Sequence, residues 1–183
     1  MSVKASTPIA YRVDSAIAET LDVVGATVQF LSPPEQGELA PCVLRGTIPP
    51  RGIVPMHSHA DPEIFIAVAG EVEGLVHSGE AFQWVPVAPG DVFHVPGGVK
   101  HAWRNESAEA AVSLIVSTAK IGRFFREIGT PLAAGSTVAG PPSEDAMEHF
   151  LETSERYGYW NATPEENAAV GLEPPAPAAA GPV

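Results

Sequence analysis

Between residues 27 and 117 apolar and polar positions alternate in short runs, the two-residue period of strands that bury one face. The runs span 27–31, 42–47, 53–58, 63–69, 71–77, 82–87, 91–95, 100–105 and 111–117. Between them stand Pro33-Pro34, Pro49-Pro50, Ser78-Gly79, Pro89-Gly90 and Pro96-Gly97-Gly98, where fixed proline φ angles and permissive glycines favour tight reversals. Reversal at nearly every break predicts a sandwich or barrel, not alternating β/α units. After Ser117 the period changes. Ile121, Phe124, Phe125 and Ile128 recur at helical spacing before Gly129, a residue able to cap a helix C-terminus. A second helix is predicted from Ser143 as N-cap, with Glu144 and Asp145 in its first turn, Met147, Phe150 and Leu151 on its buried face, and an end near Gly158. The stretch 132–142 reads as a small-residue linker, and the first 25 or so residues fit strand and short helix equally. The organisation expected is a β-barrel with N-terminal strands over 1–118, a helical extension over 119–158, and a mobile tail over 159–183.

Composition narrows the class. A chain of 183 residues with 45% apolar and 17% charged residues can build one sizeable core. Its 17 glycines and 19 prolines argue against a helix bundle. The net charge of −12 would be repelled by phosphate backbones and anionic lipid surfaces, so neither nucleic acid nor membrane is an expected partner. A single cysteine, Cys42, forms no disulfide within the chain, and Met1-Ser2-Val3-Lys4-Ala5 leads into no apolar segment of the signal-peptide kind. A cytoplasmic protein is therefore expected, and the sequons at Asn105 and Asn161 read as chance matches. No run of about 18 apolar residues exists to cross a membrane.

The candidate chemistry lies in two clusters. His57 and His59, at i and i+2 on one predicted strand, share a face, and Glu63 keeps that parity. His101 follows the Pro96-Gly97-Gly98 turn. Asp61 has the same nominal parity, but Pro62 bends the chain after it, which makes Asp61 a neighbour of the ligands rather than one of them. Imidazoles with one carboxylate suit Fe, Mn, Ni, Co, Cu or Zn, whereas Ca or Mg would want mostly oxygen. Four protein ligands also leave positions open on a five- or six-coordinate ion. An isolated histidine would more often be a hydrogen-bonded core or surface group; four donors in register favour one divalent metal per chain. His77 and His149 are read as exposed and outside the site.

The series Gly52, His57, His59, Glu63, Gly70, followed by Gly90, Pro96, Gly98, His101 and Asn105, resembles the two paired motifs of the cupin superfamily. The second motif agrees at every spacing; the first has four residues between Gly52 and His57 where the usual pattern has five. The resemblance implies an all-β jelly-roll barrel in which His57, His59, Glu63 and His101 hold a divalent metal. The two short C-terminal helices resemble those of small quercetin-dioxygenase-like members, and a homodimer is expected by the same resemblance. Parity places Ile53, Pro55, Phe65, Ala67 and Trp103 beside the ligands; His94, on a face parity leaves open, is a further pocket candidate. Phe65 and Trp103 either line a pocket or simply fill the barrel. With no lysine or arginine at that parity beside a ligand, the expected substrate is small, largely apolar or aromatic, and oxygenated. The leading expectation is a metal-dependent dioxygenase with Glu63 doubling as a base for a bound hydroxyl. A non-redox isomerase, cyclase or lyase, and a module that binds a small molecule without chemistry, are the alternatives.

Overall fold

Each alternating run becomes a strand in the computed structural model, which describes residues 10–32, 34–36, 40–79, 81–133, 136 and 142–172. The elements are β1 (Thr20–Val23), β2 (Ala26–Ser32), a 3-10 turn (Pro34–Gln36), β3 (Cys42–Ile48), β4 (Ile53–Ser58), β5 (Glu63–Ala69), β6 (Val72–Ser78), β7 (Ala81–Val87), β8 (Val92–Val95), β9 (His101–Arg104) and β10 (Ala111–Ser117). After these come α1 (Ala119–Ile128), β11 (Thr130–Pro131), α2 (Glu144–Tyr157), β12 (Trp160–Asn161) and α3 (Pro164–Ala169).

The strands form two antiparallel sheets, ordered β11-β1-β2-β3-β10-β5-β8 and β12-β4-β9-β6-β7. Inward-facing residues of both sheets meet in one core: Phe30, Leu44, Phe65 and Ile115 from the first, Val72, Val87 and Trp103 from the second. The architecture is an all-β jelly roll with C-terminal helices. Its second core lies on the outer face of the five-stranded sheet, where Met56, Leu75 and Ala102 are covered by Leu172 and Val170.

That covering corrects the expectation for 159–183. Residues 159–172 are held by β12 and α3, so the helices number three among the described residues; 173–183 lie outside them. Local chemistry accounts for α3. Thr163 caps it in a reciprocal capping box with Glu166, and Pro164 occupies the first turn, where its missing N–H costs nothing. Asn167 then accepts the Met56 amide proton at 2.9 Å, and Trp84 Nε1 donates to the Val170 carbonyl at 2.8 Å. These bonds anchor the segment to the sheet.

The predicted caps of α1 and α2 are in place at Gly129, Ser143 and Gly158. The buried face of α2 is rotated from the one expected: Leu151 is 49% exposed while Thr153 and Ser154 are buried. The reason is that α2 packs its Phe150 and Tyr157 rings against Phe124 of α1, which turns Leu151 outward. Among the described residues no helix is long and apolar enough to cross a membrane.

Candidate metal centre

The four residues singled out by spacing come together from both sheets. His57, near the end of β4, pairs in register with His101, the first residue of β9. Glu63 opens β5 in the facing sheet, and His59 lies in the connection between β4 and β5. That connection is fixed from above by the Pro96-Gly97-Gly98 turn, whose Gly98 N–H donates to the His59 carbonyl at 2.6 Å. A Cβ on residue 97 would lie 2.2 Å from the Ala60 carbonyl oxygen, so only glycine lets the turn approach this closely.

The hydrogen bonds define which imidazole nitrogens are free. His57 Nδ1 donates to the Pro55 carbonyl (2.8 Å), His59 Nδ1 to the Asp61 carbonyl (2.8 Å) and His101 Nδ1 to the Val99 carbonyl (2.9 Å). A carbonyl only accepts, so each Nδ1 carries its proton and each neutral ring offers an Nε2 lone pair. Ligand atoms of the three rings lie within 4.8 Å of one another. Donors about 2.1 Å from a common ion are separated by about 3.0 Å at adjacent corners of an octahedron and about 4.2 Å at opposite ones, so modest contraction suffices.

The group whose ligand atoms meet is the three histidines; Glu63 stands beside two of them, with Oε2 3.3 Å from both His59 Nε2 and His101 Nε2. His101 Nε2 is nevertheless buried without a hydrogen-bond partner. A buried orphaned acceptor facing a carboxylate is unfavourable unless a positive charge lies between them. Burial works against charge on Glu63, but when the facing His101 and His59 rings carry an Nε2 proton they override it and hold its pKa at about 2. Burial, reinforced by neighbouring His101, pushes His57 down to about 3 and keeps it neutral. Burial also opposes charge on His59, yet its bond to Glu63 outweighs this and raises its pKa. The donor set thus fits a divalent transition ion: three imidazole nitrogens, one carboxylate oxygen, and in His101 Nε2 an atom with no other partner.

Beneath the donors the barrel is filled. Phe65 and Trp103 pack with ring centroids 4.5 Å apart, and Phe93 meets Trp103 at 4.7 Å. Two pocket candidates from β4 are misplaced by parity. The β4–β9 register shifts between Val54 and His57, a bulge that leaves Pro55 exposed and turns Ile53 onto the outer face against the Met56 cluster. Proline lacks a ladder donor and is tolerated at such a bulge. Val54, paired with Trp103, takes the inward position instead. His94 is exposed on the outer face, because β8 pairs with β5 in a register that turns Phe93 and Val95 inward. His77 and His149 are exposed, as expected. A cavity of about 390 Å³ on the outer face of the five-stranded sheet, lined by residues including Met56, Trp84 and Val170, lies apart from the four donors.

Parity also misses what surrounds His59. Asp61 is buried and accepts from Thr118 Oγ1 at 2.5 Å and from the Tyr159 hydroxyl at 2.9 Å, with Lys120 Nζ at 3.8 Å. Burial and then the Asp61 bond raise the Tyr159 pKa, which keeps the phenol a donor. The Tyr159 ring stands 5.2 Å from that of His59, and Asn161 of β12 pairs with His57. Asn105, the last position of the second motif, is a structural pin: its Nδ2 donates to the carbonyls of Ile48, Pro49 and Glu109.

Residues 44–117 match the family model described as Cupin domain. The fold is similar to that of a predicted oxalate decarboxylase from Thermotoga maritima, with a TM-score of 0.52 at 21% identity over 59% of this chain and 98% of that one. It is also similar to the polyketide cyclase RemF from Streptomyces resistomycificus, with a TM-score of 0.53 at 17% identity over 79% of this chain and 99% of that one. At these identities the likeness is one of fold. No curated protein matches the chain by sequence.

Proposed function

We propose that this chain, whose residues 44–117 match a cupin domain, is a metal-dependent dioxygenase acting on a small, largely apolar or aromatic oxygenated substrate. The reading is supported by three histidines whose ligand atoms lie within 4.8 Å of one another, by Glu63 beside His59 and His101, and by His101 Nε2 left without any other partner. A divalent ion held there by His57, His59, Glu63 and His101, drawn from Fe, Mn, Ni, Co, Cu or Zn, would supply Lewis acidity and, in its redox-active forms, the electrons of dioxygen chemistry.

The chain's own residues supply the rest. Phe65, Phe93 and Trp103 close the barrel below the donors, so substrate approaches from the mouth, on the side of half-buried His57. Glu63 is anionic at neutral pH and is the group placed to accept a hydroxyl proton at its carboxylate. His59 and His101 flank that carboxylate, each with Nε2 3.3 Å from its Oε2. The same reading takes the protein to be a cytoplasmic homodimer, a compartment in which lone Cys42 stays a thiol. The face offered to a second copy is the outer side of the seven-stranded sheet, where Ile64 (37%), Val68 (51%) and Val92 (63%) are exposed together.

The test is an oxygen electrode with flavonols, catechols and diketones, using protein loaded in turn with Fe, Mn, Ni and Cu. Substrate-dependent oxygen uptake supports the proposal. Turnover that persists under strict anaerobiosis assigns the site to a non-redox isomerase, cyclase or lyase. A ligand that raises the melting temperature and is recovered unchanged makes it a binding module.

A further inference from the structure

We propose that Tyr159 is a positioning residue of the metal centre, acting through Asp61 on His59. The inference rests on the metal reading above and assigns the segment after α2 a part in it. His59 is the one histidine of the set outside a strand, so no ladder fixes its ring. Its orientation depends on the bond from Nδ1 to the Asp61 carbonyl at 2.8 Å. What holds Asp61 therefore holds the direction in which His59 Nε2 points.

Asp61 is held from outside the barrel. Its Oδ2 accepts from the Tyr159 hydroxyl at 2.9 Å, and its Oδ1 from Thr118 Oγ1 at 2.5 Å. Thr118 is also the N-cap of α1, accepting from the Ile121 amide, so its hydroxyl is locked by the helix it starts. Tyr159 is 8% exposed, and its ring packs against Phe124 at 4.8 Å and His59 at 5.2 Å. Thr118 caps α1 just after β10 and Tyr159 follows α2, so neither donor sits on a strand that carries a ligand. The carboxylate is thus clamped between α1 and the chain leaving α2, while the carbonyl of the same residue aims His59. This arrangement gives a buried acid at 61 a purpose other than ligation: its carboxylate oxygens are taken up by the hydroxyl donors of Thr118 and Tyr159.

The experiment uses the full chain with Co(II) as probe, measuring affinity by chelator competition and geometry by the visible absorption of the loaded protein. Tyr159→Phe keeps the ring and removes only the hydroxyl. It is expected to weaken Co(II) binding about 10- to 100-fold and to alter the absorption bands, the scale typical of lost partners behind a metal ligand. Thr118→Val is expected to act in the same direction, Thr118→Ser to restore wild-type affinity and spectrum, and the Tyr159→Phe/Thr118→Val pair to be less than additive because both act on Asp61. Should Tyr159→Phe fail to fold, Thr118→Val against Thr118→Ser decides. Wild-type affinity and spectrum in Tyr159→Phe, with wild-type protein binding Co(II), overturn this coupling alone. Wild-type protein that takes up no Co(II) overturns the metal reading and the coupling together.

Discussion

Replacing Gly97 with alanine tests how the turn before β9 is locked onto the connection that carries His59. The backbone at residue 97 is not in the left-handed region. By unfolded-state entropy alone, then, the change should stabilise the protein by about 0.4–1 kcal/mol. The close approach reverses that sign. The new Cβ would lie 2.2 Å from the Ala60 carbonyl oxygen and 3.0 Å from its carbon, both backbone atoms that cannot swing away. Even a close C–H···O contact keeps carbon about 3.3 Å from oxygen, so the turn must retreat by about 1 Å. The Gly98 N–H to His59 carbonyl bond, now 2.6 Å, would then stretch beyond hydrogen-bonding range. A lost bond of about 1 kcal/mol added to an overpacking cost of about 1–3 kcal/mol gives a destabilisation of about 2–4 kcal/mol. For a domain of this size that lowers Tm by about 5–15 °C. Thermal unfolding followed by circular dichroism in excess chelator isolates this effect from metal binding. Gly79→Ala is the control: nothing lies within 4 Å of its Cβ, and only its φ of +66° resists alanine. It should cost about 1 kcal/mol, the penalty of one left-handed residue. Gly97→Ala melting at or above the wild-type temperature, or Gly79→Ala falling further than Gly97→Ala, refutes the reasoning.

Two more outcomes follow from the same structure. Cys42 is fully buried and burial raises its thiol from 9.0 to about 11, so an aromatic disulfide reagent at pH 8 should leave the native chain unreacted and titrate one thiol after denaturation. Because the folded-state value lies above the unfolded one, the folded chain keeps a proton that the unfolded chain sheds; this contribution to stability is intact below pH 9 and disappears as pH climbs towards 11, which denaturant midpoints across that window will show. Light scattering on the purified protein should give a dimer, and Val92→Lys, at an exposed position of the edge strand β8, should give a monomer with unchanged metal content; an unaltered mass rules out that face as the interface.

Much of the barrel is legible in the sequence because its strands are half-buried and separated by proline and glycine turns, so alternation and punctuation agree. The candidate metal donors can be picked out for a related reason: His57, Glu63 and His101 stand at strand ends, where spacing translates directly into position. Parity fails where regularity does. The bulge at Pro55 removes the assumed two-residue period from β4 and sends Ile53 outward, a risk that an in-strand proline signals. His94 could not be assigned a face because register between β5 and β8 is a property of the pair, not of either run. The missed α3 had a local signature in Thr163-Pro164-Glu165-Glu166, a capping box with proline in the first turn. What hid it was the absence of an apolar stripe, since the helix is fastened to the sheet through Asn167 and Leu172 instead. The Asp61 clamp joins residues up to 98 positions apart and leaves no local trace at all.

The account stands on a cation shared by three imidazoles and a carboxylate. Elemental analysis of protein purified without added metal, compared with His57→Ala and His101→Ala prepared identically, tests this most directly. Close to one transition-metal equivalent per wild-type chain, falling severalfold or more in both variants, is the predicted result. Equal metal content in all three proteins would contradict it.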